Sequence, residues 1–221
     1  MGLRRRIFAA TYDWHMGGSE RAGLAAMRSR VVSRATGRVL EVGAGTGLNL
    51  PHYRTDVEHL TLTEPDSSMF KRLQGAVERH HGSATVLRAP AEQLPFDDDS
   101  FDAVVCTLVL CGVDDQAQAV REIRRVLRPA GQLFFLEHMR SDDEGHARLQ
   151  DRFNWLNRAV AMCDCNRPTR RTIAGEGLHV EEVVETDFPK APPFLNPLVH
   201  GRATLPTAVH AETTPQNGAR A

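Results

Sequence analysis

A chain of 221 residues with 41% hydrophobic and 25% charged side chains can bury a sizeable core, and one domain with elaborations is expected. Its formal net charge of -1, with both signs interspersed, excludes nucleic acid from the expected partners, and no apolar stretch approaches the ~18–20 residues that span a bilayer. The four cysteines, Cys106, Cys111, Cys163 and Cys165, make no disulfide framework for a chain this long, and Cys163-Asp164-Cys165 is CxC without a second pair, so a reduced, cytoplasmic protein with no metal site is expected.

The basic start, Met1 to Ala10, has too short an apolar part for a signal peptide. Residues 4–16 read as a short amphipathic helix carrying Tyr12, Trp14 and His15. Gly17-Gly18 is expected to break it, with Ser19 capping a second helix to about Ser33. Residues 1–37 would then form a helical lid over a cleft, Trp14 and His15 facing a substrate; plain packing of Tyr12 and Trp14 is the competing reading.

The rest of the chain is organised around the stretch Val39-Leu40-Glu41-Val42-Gly43-Ala44-Gly45-Thr46-Gly47-Leu48-Asn49. A β-branched run ends in glycines at every second position, where the backbone can fold tightly against a ligand. Strand, glycine turn and helix is how α/β nucleotide-type sites open. A dinucleotide fingerprint would want glycine or alanine at position 48, where Leu48 stands. A second strand, residues 59–63, ends at Glu64 and Pro65; a carboxylate there can accept both ribose hydroxyls of an adenosyl group.

Asp66 can cap a helix with Met69, Phe70, Leu73 and Val77 on one face. Residues 84–88 read as a third strand, followed by Ala89-Pro90-Ala91-Glu92; residues 103–110 form a buried fourth. Asp114 or Asp115 caps the next helix, and residues 133–137 are a fifth strand ending at Glu137, with His138 beyond. Five alternations of strand and helix predict an α/β fold, a mostly parallel sheet of about seven strands with helices on both faces. Glu41, Glu64, Ala91, Cys106 and Glu137 fall at or near strand ends, where ligands of such sheets sit. The expected organisation is a main domain over 38–205, with a helical insertion over about 141–176, a later strand pair at 178–187 and about 197–204, and a disordered tail over 206–221.

The GxGxG spacing resembles the first motif of class I methyltransferases, Rossmann-like proteins that bind S-adenosylmethionine. With Val104 to Val113, Arg125-Val126-Leu127-Arg128-Pro129, Leu136-Glu137-His138-Met139, Cys163 with Arg167 and Thr169, and Pro197 to Ala203, the chain resembles the alkyl thiol S-methyltransferases from about residue 38 to 204. The resemblance implies S-adenosylmethionine as cofactor and a small molecule as substrate. Its cofactor residues here would be Tyr12, Glu41, Gly43, Ala44, Gly45, Asn49, Glu64, Pro65, Ala91, Glu92, Cys106 and Thr107. Trp14, His15, Cys111 and Arg167 would contact the substrate. Where many class I enzymes hold adenine with an Asp, Pro90 stands, so backbone groups around Ala91 and packing from Leu94 or Phe96 are expected to replace it. The animal relatives begin with a hydrophobic anchor, which Ile7 to Ala10 does not reproduce.

Methyl transfer to a thiolate annihilates charge, and an apolar cleft lined by Leu108, Leu110, Cys111, Trp14 and Phe153 would favour it. A thiol of pKa ≈ 8.5 ionises partly unaided, so a base is optional; His138 is the candidate, with its ordinary pKa near about 6.5, and a structural role the alternative. Cys111 is expected to fill space rather than attack, and Arg167 to pair with Glu137, a substrate anion or a surface group. O-, C- or N-methylation of a quinone-like ring or phospholipid headgroup, and a non-catalytic binding module, are the other readings.

Overall fold

The computed structural model describes residues 3–80 and 83–206; apart from Pro206, the expected tail lies outside the described residues. Strands β1 (Arg38–Val42), β2 (His59–Thr63), β3 (Thr85–Leu87), β4 (Phe101–Thr107), β5 (Leu127–His138), β6 (His179–Thr186) and β7 (Leu198–Thr204) form one sheet in the order β3-β2-β1-β4-β5-β7-β6. The first five run parallel, and β7 is antiparallel to both β5 and β6. Helices α1 (Leu3–Ser19), α2 (Ala25–Val32), α3 (Ser67–His80), α4 (Gln116–Val126), α5 (Glu144–Val160) and α6 (Thr169–Gly175) surround it.

Side chains of successive strand residues point to opposite faces, and here each face has its own core. Val104 and Cys106 on β4, with Leu133 and Phe135 on β5, meet Ala119, Val120, Ile123 and Val126 of α4 on one side. Ala103 and Val105, with Phe134 and Leu136, meet Val31 and Val32 of α2 and Leu73 and Val77 of α3 on the other. Burial on both faces explains why β4 and β5 read as continuous apolar runs. The expected caps form: Asp66 accepts from Ser68 and Met69, and Asp115 accepts from Gln118.

Three boundaries differ from expectation. The first helix runs through Gly17-Gly18, and Ser19 makes no side-chain cap. The chain bends instead at Gly23, φ 136°, in a wide helical turn over Glu20–Leu24. Strand β4 stops at Thr107 because Leu108 takes φ 59°. Strand β5 starts at Leu127, directly after α4, since Leu127 already pairs with Phe101.

Candidate active site

The sheet order reverses between β1 and β4, and at the carboxyl ends of these strands lies a cavity of about 680 Å³. This is the crevice where open α/β sheets bind ligands. Its floor is the glycine loop after β1. Gly43 has φ 65° and Gly45 φ 59°; a Cβ on Gly43 would stand 2.7 Å from Val109, whereas one on Gly45 would meet nothing within 4 Å. Gly43 therefore lets the β4 turn pack against the loop, and Gly45 leaves open space toward the cavity.

Glu64, at the tip of β2, is buried and lines the cavity. One carboxylate oxygen accepts from Gly45 N–H at 2.9 Å and the other from Asp66 N–H at 2.8 Å. Each oxygen keeps a lone pair for another donor. Burial raises its pKa, opposed by those two backbone bonds.

A buried polar knot holds the other side of the loop. Asn49 Nδ2 donates to Glu41 at 2.9 Å and to Thr107 Oγ1 at 2.8 Å, and the Tyr53 hydroxyl donates to Glu41 at 2.7 Å. Arg28, 3% exposed, donates to Glu20 at 2.9 Å, Asn49 at 3.1 Å and Thr107 at 2.9 Å. Desolvation pushes Glu41 up to about 7, against its hydrogen bonds from Tyr53 and Asn49. Arg28 is not among the residues expected at the site. Its signal in the sequence is an arginine on the stripe of Leu24, Val31 and Val32, at i+4 from Leu24, where a cation needs buried partners.

The β4 turn is built on Glu137. Its carboxylate accepts from the N–H groups of Val109 at 2.8 Å, Leu110 at 3.0 Å and Cys111 at 3.3 Å, and desolvation pushes it up to about 7 against those bonds. Next to it, His138 is buried, stacks on Phe188 at 5.0 Å and contacts the Leu195 carbonyl through Nδ1 at 3.0 Å. A carbonyl only accepts, so Nδ1 carries the proton and Nε2 keeps its lone pair. Burial lowers the His138 pKa to about 4, so the ring is neutral far below the value of about 6.5 expected for a free histidine.

Of the residues expected at the site, the structure brings Tyr12, His15, Gly43, Ala44, Gly45 and Asn49 to the cavity wall, with Glu64, Pro65, Ala91, Glu92, Thr107, Cys111 and His138. Four do not reach it. Trp14 is 79% exposed, on the outer side of α1. Glu41 lies beneath the loop, tied to Asn49 and Tyr53. Cys106 points into the core under α4 because it follows Val105 by one residue on the strand. Arg167 pairs with Asp164 at 2.8 Å, not with Glu137, whose oxygens are taken by backbone. Leu110 is core, Phe153 stacks on Phe194, and Leu94 and Phe96 pack in the α4 core, away from the wall beside Ala91. Leu108 does line the cavity. Helix α1 lies against the glycine loop: Asp13 accepts from Thr46 Oγ1 at 2.6 Å and pairs with Arg72, which also donates to the Ala9 and Ala10 carbonyls. Among the described residues no cluster of three or more His, Cys, Asp or Glu could hold a metal ion, and no helix is long and apolar enough to cross a membrane.

Residues 40–135 match the family of methyltransferase domains. The chain is 41% identical over 110 residues to the human thiol S-methyltransferase TMT1B, covering 48% of this chain and 45% of that protein. It is 32% identical over 127 residues to the ubiquinone/menaquinone biosynthesis C-methyltransferase UbiE of Proteus mirabilis, covering 55% and 51%. The chain thus spans about half the length of the curated relatives it matches. The crystal structure of the Bacillus subtilis YcgJ protein superposes with a TM-score of 0.66 at 19% identity, over 84% of this chain and 99% of that one.

Proposed function

We propose that this chain, a class I methyltransferase in fold that resembles the alkyl thiol S-methyltransferase family, moves the methyl group of S-adenosylmethionine to the sulfur of a small, apolar thiol. The residues present fit that cofactor: Gly45 leaves room for it, Glu64 offers two free lone pairs to ribose hydroxyls, and the buried Arg28 supplies positive charge for a carboxylate. When bound, it supplies a methyl already activated on a sulfonium. The protein's own work is then to orient the acceptor and exclude water.

The observation that favours a thiol is His138. Beyond the glycine loop the cavity is walled by Val109, Met162, Phe188 and Leu195, and His138 presents a neutral nitrogen lone pair among them. A ring pushed so low is a weak base, suited to accept a hydrogen bond from an S–H that ionises readily, not to strip a proton from a strongly held O–H or N–H. The Nδ1 bond to Leu195 and the stack on Phe188 fix which edge of the ring faces the acceptor. Similarity to the quinone C-methyltransferase supports a second reading, an apolar ring as acceptor. Release of S-adenosylhomocysteine with a small alkyl thiol, a quinol and a phosphatidylethanolamine headgroup, assayed side by side, separates them; turnover of the quinol alone would overturn the thiol reading.

Two variants test the assignments. Glu64→Ala should weaken S-adenosylmethionine binding by about 1–3 kcal/mol, the range for a hydrogen-bonded charged group; calorimetry giving an unchanged Kd in a folded variant removes the ribose role. For His138, wild-type turnover should depend little on ionisation of the substrate thiol and show no inflexion near pH ~6.5. His138→Ala should track the thiolate fraction instead, losing roughly tenfold at neutral pH and only a few-fold near pH ~9, where the thiol ionises unaided. An equal loss at both pH values would leave His138 as a positioning residue.

A further inference from the structure

Two cysteines share one stretch of the acceptor wall, and the proposed methyl transfer uses neither as nucleophile. Cys111 sits in the turn after β4 and Cys163 in the loop after α5, and both line the cavity as free thiols. The two thiols interact, each perturbing the other's ionisation. Their loops are also tied through backbone, Asp164 N–H donating to the Cys111 carbonyl at 2.8 Å. Gly112, next to Cys111, lies against the Cys163 loop: a Cβ there would be in van der Waals contact with the Met162 carbonyl oxygen at 3.6 Å and the Cys163 Cβ at 3.8 Å. Asn157 Nδ2 holds Cys163 from the other side, at 3.3 Å from its sulfur and 2.9 Å from its carbonyl.

The Asn157 amide, donating to the Cys163 sulfur, favours its thiolate. Cys163 is held below the usual thiol range, first by its interaction with Cys111 and further by Asn157, against its burial and the nearby Glu137 and Asp164 carboxylates. Cys111 is raised, by its interaction with Cys163, by burial and by Glu137 beside it. One sulfur is prepared to attack, and its neighbour keeps a proton and waits beside it. This is the division between attacking and resolving cysteines. Cys106 lies in the core, and Cys165 is buried and pushed up to about 11, mainly by desolvation.

We propose that Cys163 and Cys111 form a thiol–disulfide exchange site that takes small, apolar disulfides entering the acceptor half of the cavity. The Cys163 thiolate attacks one sulfur of R–S–S–R; that bond breaks, and RS⁻ leaves with the electron pair. Cys111 passes its proton to the departing RS⁻ and attacks the Cys163 sulfur, expelling the second RS⁻. Two electrons move from the cysteine pair to the disulfide, leaving RSH, RS⁻ and a Cys111–Cys163 bond. The bond joins two walls of the acceptor half, so the oxidised chain is closed to acceptors until a thiol reopens it.

The test uses the full chain without cofactor, bis(2-hydroxyethyl) disulfide as the probe, acid quenching and peptide mapping by mass spectrometry. Wild type should yield a Cys111–Cys163 linked peptide. Cys111→Ser should stop at a mixed disulfide on Cys163, and Cys163→Ser should slow probe capture at Cys111 by about tenfold or more. Where a variant fails to fold by circular dichroism, the pH dependence of wild-type capture decides: it should rise at a pH below the ordinary thiol value of about 8.5. First capture at Cys165 or Cys106, undiminished capture at Cys111 in Cys163→Ser, or no linked peptide overturns the site. Because no methyl donor is present, the result is independent of the acceptor's identity, and either reading can fail while the other stands.

Discussion

Deleting residues 1–16 is expected to abolish turnover, by at least about 10³-fold in kcat/KM, while the sheet still folds. Helix α1 gives Phe8, Tyr12, His15 and Met16 to the cavity wall, and its removal opens the reacting centre to water. It gives little to the two cores, whose buried members begin at Leu24. Circular dichroism and thermal melting should therefore change far less than activity. Asp13→Ala, which releases Thr46 and Arg72 together, should produce a smaller loss in the same direction. Full activity in the folded truncation would reduce α1 to packing.

Glu137→Ala should be among the most destabilising single substitutions in the chain. It leaves the N–H groups of Val109, Leu110 and Cys111 without their acceptor. At about 1–3 kcal/mol for each buried unsatisfied donor, the total is about 3–9 kcal/mol, read by urea unfolding. A loss below ~1 kcal/mol would show that the turn holds itself. The Gln variant carries a pH signature. Glu137 is raised to about 7 in the fold, against about 4.3 in an unfolded chain, so the native state binds more protons between those values. Its stabilisation is present at the acid end of that window and is lost as pH rises through about 7. His138, lowered to about 4, works in the opposite sense across part of that range. The comparison is therefore wild type minus Glu137→Gln, in which the histidine cancels. That difference should shrink from pH ~5 to pH ~8; a difference that grows would contradict the burial of the carboxylate.

How legible the chain is depends on how local each cause is. The β1 run and its glycine loop can be read because side-chain size and backbone freedom act within a few residues. The end of β4 cannot: it depends on Glu137, distant in sequence, claiming the N–H groups after Leu108. The doublet Gly17-Gly18 looks like a helix break, but glycines are tolerated where the helix continues; the bend lies at Gly23, where φ is 136°. Glycine in the sequence marks where a bend is allowed, not where it is taken. Trp14 and Phe153 suit the cleft by character, yet helix rotation puts one in solvent and the other on Phe194. Glu64 is legible from its place at a strand tip. Arg28 is not, because its three partners come from α2's own entry turn, the glycine loop and β4.

The cavity draws its wall from different lengths of chain. The glycine loop, Glu64, Ala91, Val109 and Cys111 lie within the matched span, residues 40–135, whereas Tyr12, Arg28, His138, Cys163, Phe188 and Leu195 lie outside it. Mutations outside the span can therefore reshape part of the cavity wall without touching the glycine loop or Glu64. A lineage could reshape that wall by rewriting the N-terminal helix and the 187–197 loop while inheriting the glycine loop and Glu64 intact. The antiparallel β6–β7 hairpin pins both ends of that loop, so its exposed middle can change while Phe188 stays in the core and the Asn196 carbonyl keeps its bond from Gln150.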